Sequence, residues 1–283
     1  MDQKNKKVLV LGEWALDSYH EGTVSRLSPE GPIPVFVPNN KFSVSGMTGN
    51  VVNNLKSLNS ELDVFYCCQK TPIIKTRYVD KNSGYILLRV DENDQIKKEE
   101  ELTELKILNY LNDNKVDFPD FAAIVISSYK NFISPNLINY LGQIGRIHKI
   151  PTFLDCKYIL GEWSKDITFV KINQKEYNYN LERNSNLGYF CRNLIVTLGE
   201  NGSKHIQTNN IVHTASCSSV DVCGAGDVYL AAFVVKYLET FNIPDSMLYA
   251  NYAASLSVTK RGTVSIKREE LDKFLDKNFV FSD

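Results

Sequence analysis

Apolar positions along this chain gather into short unbroken runs rather than strict alternation. KKVLVLG (6–12) is apolar from Val8 to Leu11 and ends in glycine. Similar runs return at FAAIVIS (121–127), PTFLD (151–155), ITFVKIN (167–173) and RNLIVTLG (192–199). A run without alternation predicts a strand covered on both faces, the situation in a parallel sheet. Helical patterns lie between several of them, as in SPNLINYLGQIGRIHK (134–149), where Ser134 is placed to cap and Pro135 to take the first turn. The last third reads as helices: GAGDVYLAAFVVKYLETF, IPDSMLYANYAASLSVTK and KREELDKFLDK. Strands alternating with helices predict an α/β fold, a doubly wound, mostly parallel sheet flanked by helices.

Two regions obey another rule. VSRLSPEGPIPVFVPNNKFSV, within residues 19–44, sets four of the chain's nine prolines among β-prone residues. IIKTRYVDKNSGYILLRVD (73–91) alternates and turns at Asn82–Gly84 like a hairpin. Both predict antiparallel strands forming a small flap, or lid, outside the main sheet. KKEEELTELK (97–106) carries a charge run on a helical pattern, a solvated helix face. No internal repeat or long linker interrupts the chain, so one domain is expected over residues 1–283.

Composition narrows the function. The 32 Lys+Arg balance 33 Asp+Glu for a net charge of −1, which removes the electrostatic case for a nucleic-acid or membrane-surface partner. Six cysteines show no framework spacing and no C-x-x-C pair, and read as buried free thiols of a reducing cytosol; Cys67 and Cys68 close a strand-like run. The four histidines are scattered, with no zinc-site pattern. The N-terminal run lacks a signal peptide's long apolar region, and no stretch reaches the ~18 apolar residues of a membrane helix. A cytoplasmic protein is expected.

Chemistry concentrates at DVCGAGD (221–227), which follows SCSSVDV and runs straight into a helix. One reading is a tight turn with Asp227 as an ordinary first-turn acid. The other is an anion hole. There the N–H groups of Gly224, Ala225 and Gly226 stand unpaired at the positive end of a helix dipole, small side chains admit a phosphate, and the dipole keeps Asp227 ionised as a base. Other phosphate motifs do not fit: GENGSK (199–204) is not a Walker loop, and VLVLGEWALD has a single glycine where a dinucleotide fold needs three.

At this point the sequence resembles the ribokinase-like (PfkB) sugar kinases, whose signature is D-T-x-G-A-G-D opening a helix. Within them it is most similar to the D-glycero-D-manno-heptose 7-phosphate kinases. LGEWALDSYHEGTVSRLSPEGPIPVF (11–36), TPIIKTRYV (71–79), LLRVD (87–91), FLDCK (153–157), KINQKEY (171–177), VTLGENG (196–202) and ANYAASLSVTKRGT (250–263) follow that group's motifs in order.

The resemblance implies roles for individual residues. Asp227 would be the base, with Gly224, Ala225 and Gly226 holding the transferring phosphoryl group. Asp17 would bind sugar hydroxyls, although an Asp here also caps helices. Gly46 and Asn50 would border the sugar in SGMTGN. Lys75, Arg77 and Arg89, with Arg26, would hold a phosphate the substrate already carries, or serve only as solvent-facing strand charges. Asn173 and Glu176 would lie near the nucleotide and Mg²⁺, Glu176 through water; an N-cap Asn with a first-turn Glu also arises on structural grounds. Thr197, Gly199 and Gly202 would border ATP, and Asn251 would line its adenine end or pack between helices.

The departures are Met47 for a hinge glycine, Cys223 for threonine, Ser128 for the acid of S-D-Y-x-K-G, and a missing segment between Cys68 and Thr71. The expected activity is ATP- and Mg²⁺-dependent phosphorylation of the anomeric hydroxyl of a heptose 7-phosphate. A homodimer through the lid and a separate nucleotidyltransferase are the implied partners. The alternatives are a related kinase of another sugar or sugar phosphate, and a weakened relative that only binds nucleotide or sugar phosphate.

Overall fold

A computed structural model of the protein describes residues 6–279; residues 1–5 and 280–283, the two ends of the domain expected over 1–283, lie outside the described residues. The first apolar run forms β1 (Lys7–Gly12), with β4 (Asp63–Cys67) and β7 (Phe121–Ser128) beside it. Beyond them lie β8 (Thr152–Cys156), β9 (Phe169–Asn173) and β10 (Asn193–Thr197), all parallel. Two short strands, β11 (Ser203–His205) and β12 (Asn210–Val212), extend the edge antiparallel, completing the order β12-β11-β10-β9-β8-β7-β1-β4.

The unbroken apolar runs are explained by what covers each face. Val8, Val10, Ala123 and Val125 join one core, formed with α1 (Thr48–Leu58), α5 (Ala225–Thr240) and α6 (Ile243–Val258). Leu9, Leu11, Ile124 and Ile126 join a second core on the opposite face, with α2 (Glu104–Asp113) and α3 (Pro135–His148). Side chains alternate across a strand, so a strand buried on both faces must be apolar throughout. Ser134 caps α3, accepting from Leu137 N at 3.2 Å, and Pro135 opens it. Two further helices, α4 (Gln174–Leu181) and α7 (Arg268–Phe279), complete the described helices.

The lid is a separate four-stranded sheet, β3-β2-β5-β6, built from β2 (Trp14–Leu27), β3 (Pro34–Met47), β5 (Ile73–Asp80) and β6 (Ile86–Glu92). The β2–β3 and β5–β6 pairs are antiparallel, and β2 pairs with β5 in parallel. Chain connectivity dictates the parallel step. β1 and β4 are parallel neighbours in the main sheet and run on into β2 and β5, so both lid strands leave in one direction. The prolines fall where strand chemistry tolerates them: Pro34 begins edge strand β3, and Pro38 sits at its register shift opposite Gly22.

The charge run at 97–106 is not one helix. Residues Lys98–Glu100 make a single 3₁₀ turn, Leu102 N donates to Phe132 O at 2.8 Å, and Thr103 caps α2, accepting from Lys106 N. Burying Leu102 breaks the run, because the helical pattern would have held that residue on a solvated face. The six cysteines are free, as expected; Cys156 and Cys191 are buried and the other four half-buried. No helix among the described residues is long and apolar enough to cross a membrane.

Candidate active site

Parallel strands deliver their carboxyl ends to one edge, where loops gather side chains. Here β7 leads into Tyr129, β8 carries Asp155, β9 carries Lys171, and α5 begins over them with Gly224–Asp227. Gly224 is the N-cap at φ +76°, a conformation suited to glycine, and a Cβ there would lie 2.8 Å from Asn50 Nδ2. Ala225 N donates to Val222 O at 3.4 Å, so it is not the free group expected from the sequence: the turn before the helix uses it. Gly224 N and Gly226 N meet no protein acceptor among the described residues.

Asp227 is buried at 9% exposure. Its Oδ2 accepts from Asn50 Nδ2 at 3.3 Å, and its Oδ1 lies 3.5 Å from the Tyr129 hydroxyl. Tyr129 donates at 2.6 Å to Asp155 Oδ2, which Lys171 Nζ also contacts. Burial, then the charge of Asp155, pushes the Asp227 carboxyl up to about 7, against the opposing pull of Lys171 and Asn50. The helix dipole was expected to keep Asp227 ionised; desolvation and a neighbouring carboxylate outweigh it. Tyr129 is pushed well above the usual phenol range by burial, with Asp155 and Asp227 adding to the effect.

Two cavities meet at this helix start. One, about 440 Å³, lies under the lid and is lined by Met47, Lys75, Arg89, Asp91, Asp94, Tyr129, Lys130, Lys157 and Asp227. The other, about 630 Å³, is lined by Ala225 and Gly226 at one end, and by Thr197, Gly199, Gly202, Asn251, Ser255 and Val258 among others. One helix turn thus presents its carboxylate to the first cavity and its glycine backbone to the second. That is the arrangement needed for passing a group between two ligands.

The candidate residues divide accordingly. Lys75 and Arg89 line the lid cavity, and Arg89 pairs with Asp91 at 2.8 Å. Lys75 and Arg77 share a face of β5, with Arg89 directly opposite Arg77 on β6. Arg77 nonetheless does not line that cavity: it is buried and ion-paired to Asp17 at 2.6 Å. Asp17 Oδ2 accepts from Thr263 at 2.8 Å, and Gly46 has no room for a Cβ beside that oxygen. Asn50 reaches both Asp227 and Gly224 O. Arg26, near the exposed end of β2, reaches neither cavity.

Asn173 and Glu176 form a reciprocal capping box at the start of α4, both bonds at 2.9 Å, and Glu176 also ion-pairs with Lys157. Thr197, Gly199, Gly202 and Asn251 line the second cavity, where Asn251 also holds Val212 O at 2.7 Å. Met47, where the resemblance implied a hinge glycine, takes φ +53° before α1, a conformation costly for a side chain. Cys223 Sγ lies 3.5 Å from Arg77 Nη2 and 3.7 Å from the Thr263 hydroxyl.

Several residues of the site were not singled out from the sequence. Glu13, fully buried, accepts from Ser128 Oγ and from the backbone N–H groups of Tyr129, Lys130 and Phe132 at 2.8–3.1 Å, fixing the loop that carries Tyr129. Ser128, standing where an acid was expected, is thereby a donor to an acid from β1's end. Tyr129, Asp155, Lys171 and Thr263 were also missed. Two of them carried a signal: a lysine inside the apolar run FVKIN, and an acid after the apolar pair of FLD.

The model of the pfkB family carbohydrate kinases matches residues 141–270. The bifunctional protein HldE of Nitratiruptor sp. is 28% identical over 95% of this chain, which spans 64% of that relative's length. The fold matches the ribokinase of Thermotoga maritima with a TM-score of 0.68 at 18% identity, covering 95% of this chain and 99% of the other. It also matches the Arabidopsis thaliana ribokinase complexed with ribose and ATP, at 0.67 and 15% identity, covering 95% and 98%. Over residues 141–270 the chain is similar to the pfkB family carbohydrate kinases, and its fold is that of the solved ribokinase structures.

Proposed function

We propose that the protein transfers the γ-phosphoryl group of ATP to the anomeric hydroxyl of D-glycero-D-manno-heptose 7-phosphate, giving the 1,7-bisphosphate. The observation that carries this reading is the junction of the two cavities at Gly224–Asp227. ATP would occupy the cavity of Thr197, Gly199, Gly202 and Asn251, with its phosphates at Gly226. The sugar would occupy the lid cavity, its hydroxyl at Asp227.

The lid cavity supports an anionic sugar. Lys75, Arg89, Lys130 and Lys157 face it, against Asp91, Asp94 and Asp227. Lys75 forms no ion pair among the described residues and stands free to meet a phosphate. Asp227 would accept the hydroxyl proton as the oxygen attacks phosphorus, and a base poised near neutrality suits that task. Lid closure would exclude water from the transfer.

A magnesium ion would neutralise phosphate charge in this reaction. An ion of this kind is held chiefly by nucleotide phosphates and one or two carboxylates. Glu176, its side chain 17% exposed, would reach it through water. The exposed apolar residues Ile86, Leu87, Leu88 and Val90 of β6 support a homodimer through the lid.

A second reading keeps the chemistry and changes the sugar. It is favoured by Arg77, a cation expected to meet the substrate but engaged with Asp17 instead. ATP consumption across a panel of free and phosphorylated sugars decides between them. Preferential turnover of the heptose 7-phosphate is expected; equal or better turnover of another sugar would replace that substrate. No turnover of any would leave only a binding role.

A further inference from the structure

Lys171 is the one lysine buried among the described residues, at 8% exposure, and it interrupts the apolar run of β9. An ammonium taken out of water is costly unless it is paired and hydrogen-bonded. Its partner is Asp155, 1% exposed. Oδ2 of Asp155 serves both Lys171 and Tyr129, while Oδ1 is buried with no hydrogen-bond partner among the described residues. As a device for joining β8 to β9 this pair is poor, since an apolar pair of similar volume would do as well.

The placement of the ammonium has another consequence. Nζ lies 2.9 Å from the point that a Cβ on Gly226 would occupy, so the charge rests against the backbone of the anion loop. A side chain at 226 would have to displace the ammonium from this position. An ammonium carries three donors, and only the one toward Asp155 meets a protein acceptor among the described residues. A buried cation therefore lies beside Gly226, next to the unpaired N–H groups of this turn.

We propose that Lys171 is a further catalytic residue, whose ammonium contacts the transferring phosphoryl group from beside Gly226. Asp155 and Tyr129 are the positioning residues that hold it there. This rests on the kinase reading above. In the step, the acceptor oxygen bonds to the γ-phosphorus, and the bond from that phosphorus to the β,γ-bridging oxygen breaks, its electron pair leaving with ADP. The hydroxyl proton passes to Asp227. Lys171 makes and breaks no bond. Its charge is preorganised in a site poor in water, where stabilising the phosphoryl oxygens has most effect.

The test compares the wild type with Lys171→Arg and with the double variant Asp155→Asn/Lys171→Met. Lys171→Met alone would strand a buried carboxylate, whereas the double variant removes both charges and should keep its melting temperature. Its kcat should fall roughly 10²–10³-fold, the range for losing one preorganised electrostatic contact. Its KM for the sugar phosphate should change by less than about threefold. Lys171→Arg keeps the charge and the pair, and should retain at least about tenfold more turnover than the double variant. A folded double variant with near wild-type kcat would overturn the proposal, as would a folded arginine variant as slow as the double one. A wild type that consumes no ATP with any sugar would instead sink the kinase reading, and Lys171's role with it.

Discussion

Arg77 and Asp17 form a buried ion pair at 2.6 Å, the two side chains 7% and 6% exposed. They come from neighbouring lid strands, with Asp17 registered opposite Lys75 and Arg77 two residues further along β5. This pair separates two cations that alternate alike on one strand. Arg77→Met would leave Asp17 buried without its cation and should cost about 3–5 kcal/mol of stability. Lys75→Met breaks no ion pair and should fold normally. It should raise KM for a phosphorylated sugar about ten- to a hundredfold, the loss of one charge-assisted bond, with ATP affinity nearly unchanged. Thermal melts and two-substrate kinetics check both; a Lys75→Met enzyme that handles sugar phosphate like the wild type would remove the phosphate contact.

Gly226 gives a cleaner separation of stability from turnover. It lies inside α5 without a positive φ, so alanine should be about 1 kcal/mol better for the helix itself. Yet its Cβ would meet Lys171 Nζ at 2.9 Å. Gly226→Ala is therefore expected to melt close to the wild type while kcat falls at least ~10-fold, and Gly226→Val should lose more. An alanine variant with unchanged kcat/KM for ATP would make the loop only a turn.

The main sheet was legible because burial on both faces writes itself into each strand: Val8 to Leu11 and Phe121 to Ile126 are apolar for local reasons. The glycine turn that opens α5 was legible because Gly-Ala-Gly-Asp is contiguous. Tyr129, Asp155 and Lys171 were not legible as a group, since each lies on or just after a different strand and only the parallel order of β7, β8 and β9 brings them together. The lid shows the same limit. Alternation placed Lys75 and Arg77 on one face, but it took the β2–β5 pairing to engage Arg77 with Asp17. β11 and β12 are three residues each, too short for any pattern.

The lid should tighten when both cavities fill. Its own contacts with the main body include Tyr19 beside Gly262, where a Cβ would lie 3.0 Å from the ring, and Gly84 against the Arg261 guanidinium. β6 is exposed along its whole length, and few apolar contacts predict low local stability. Hydrogen exchange over residues 19–40 and 73–91 is expected to slow with sugar phosphate and a non-hydrolysable nucleotide together. Identical exchange with and without the ligands would argue for a rigid cover rather than a closing lid.

The last expectation joins stability to turnover through Asp227. Burial foremost, then Asp155 and more weakly Asp17, raise its carboxyl to about 7; Lys171 and the Asn50 hydrogen bond oppose them. In the unfolded chain the same group titrates near about 4. Between those values the folded protein holds a proton that the unfolded chain has released. The stability from this group is therefore fully present below about pH 4 and is lost as pH rises through about 7. Catalysis runs the other way, because only the ionised carboxylate can accept the hydroxyl proton. Turnover should climb on an acid limb centred near 7 while this contribution to stability falls across the same range. Asp227→Asn cannot ionise, so it should fold, lose roughly 10²–10⁴ in kcat, and show a flatter melting-temperature profile than the wild type across that window. Melts and kcat measured from roughly pH 5 to 9 decide it. A variant with near wild-type turnover, or a wild-type acid limb that persists unchanged in residual Asp227→Asn activity, would assign the proton to another group.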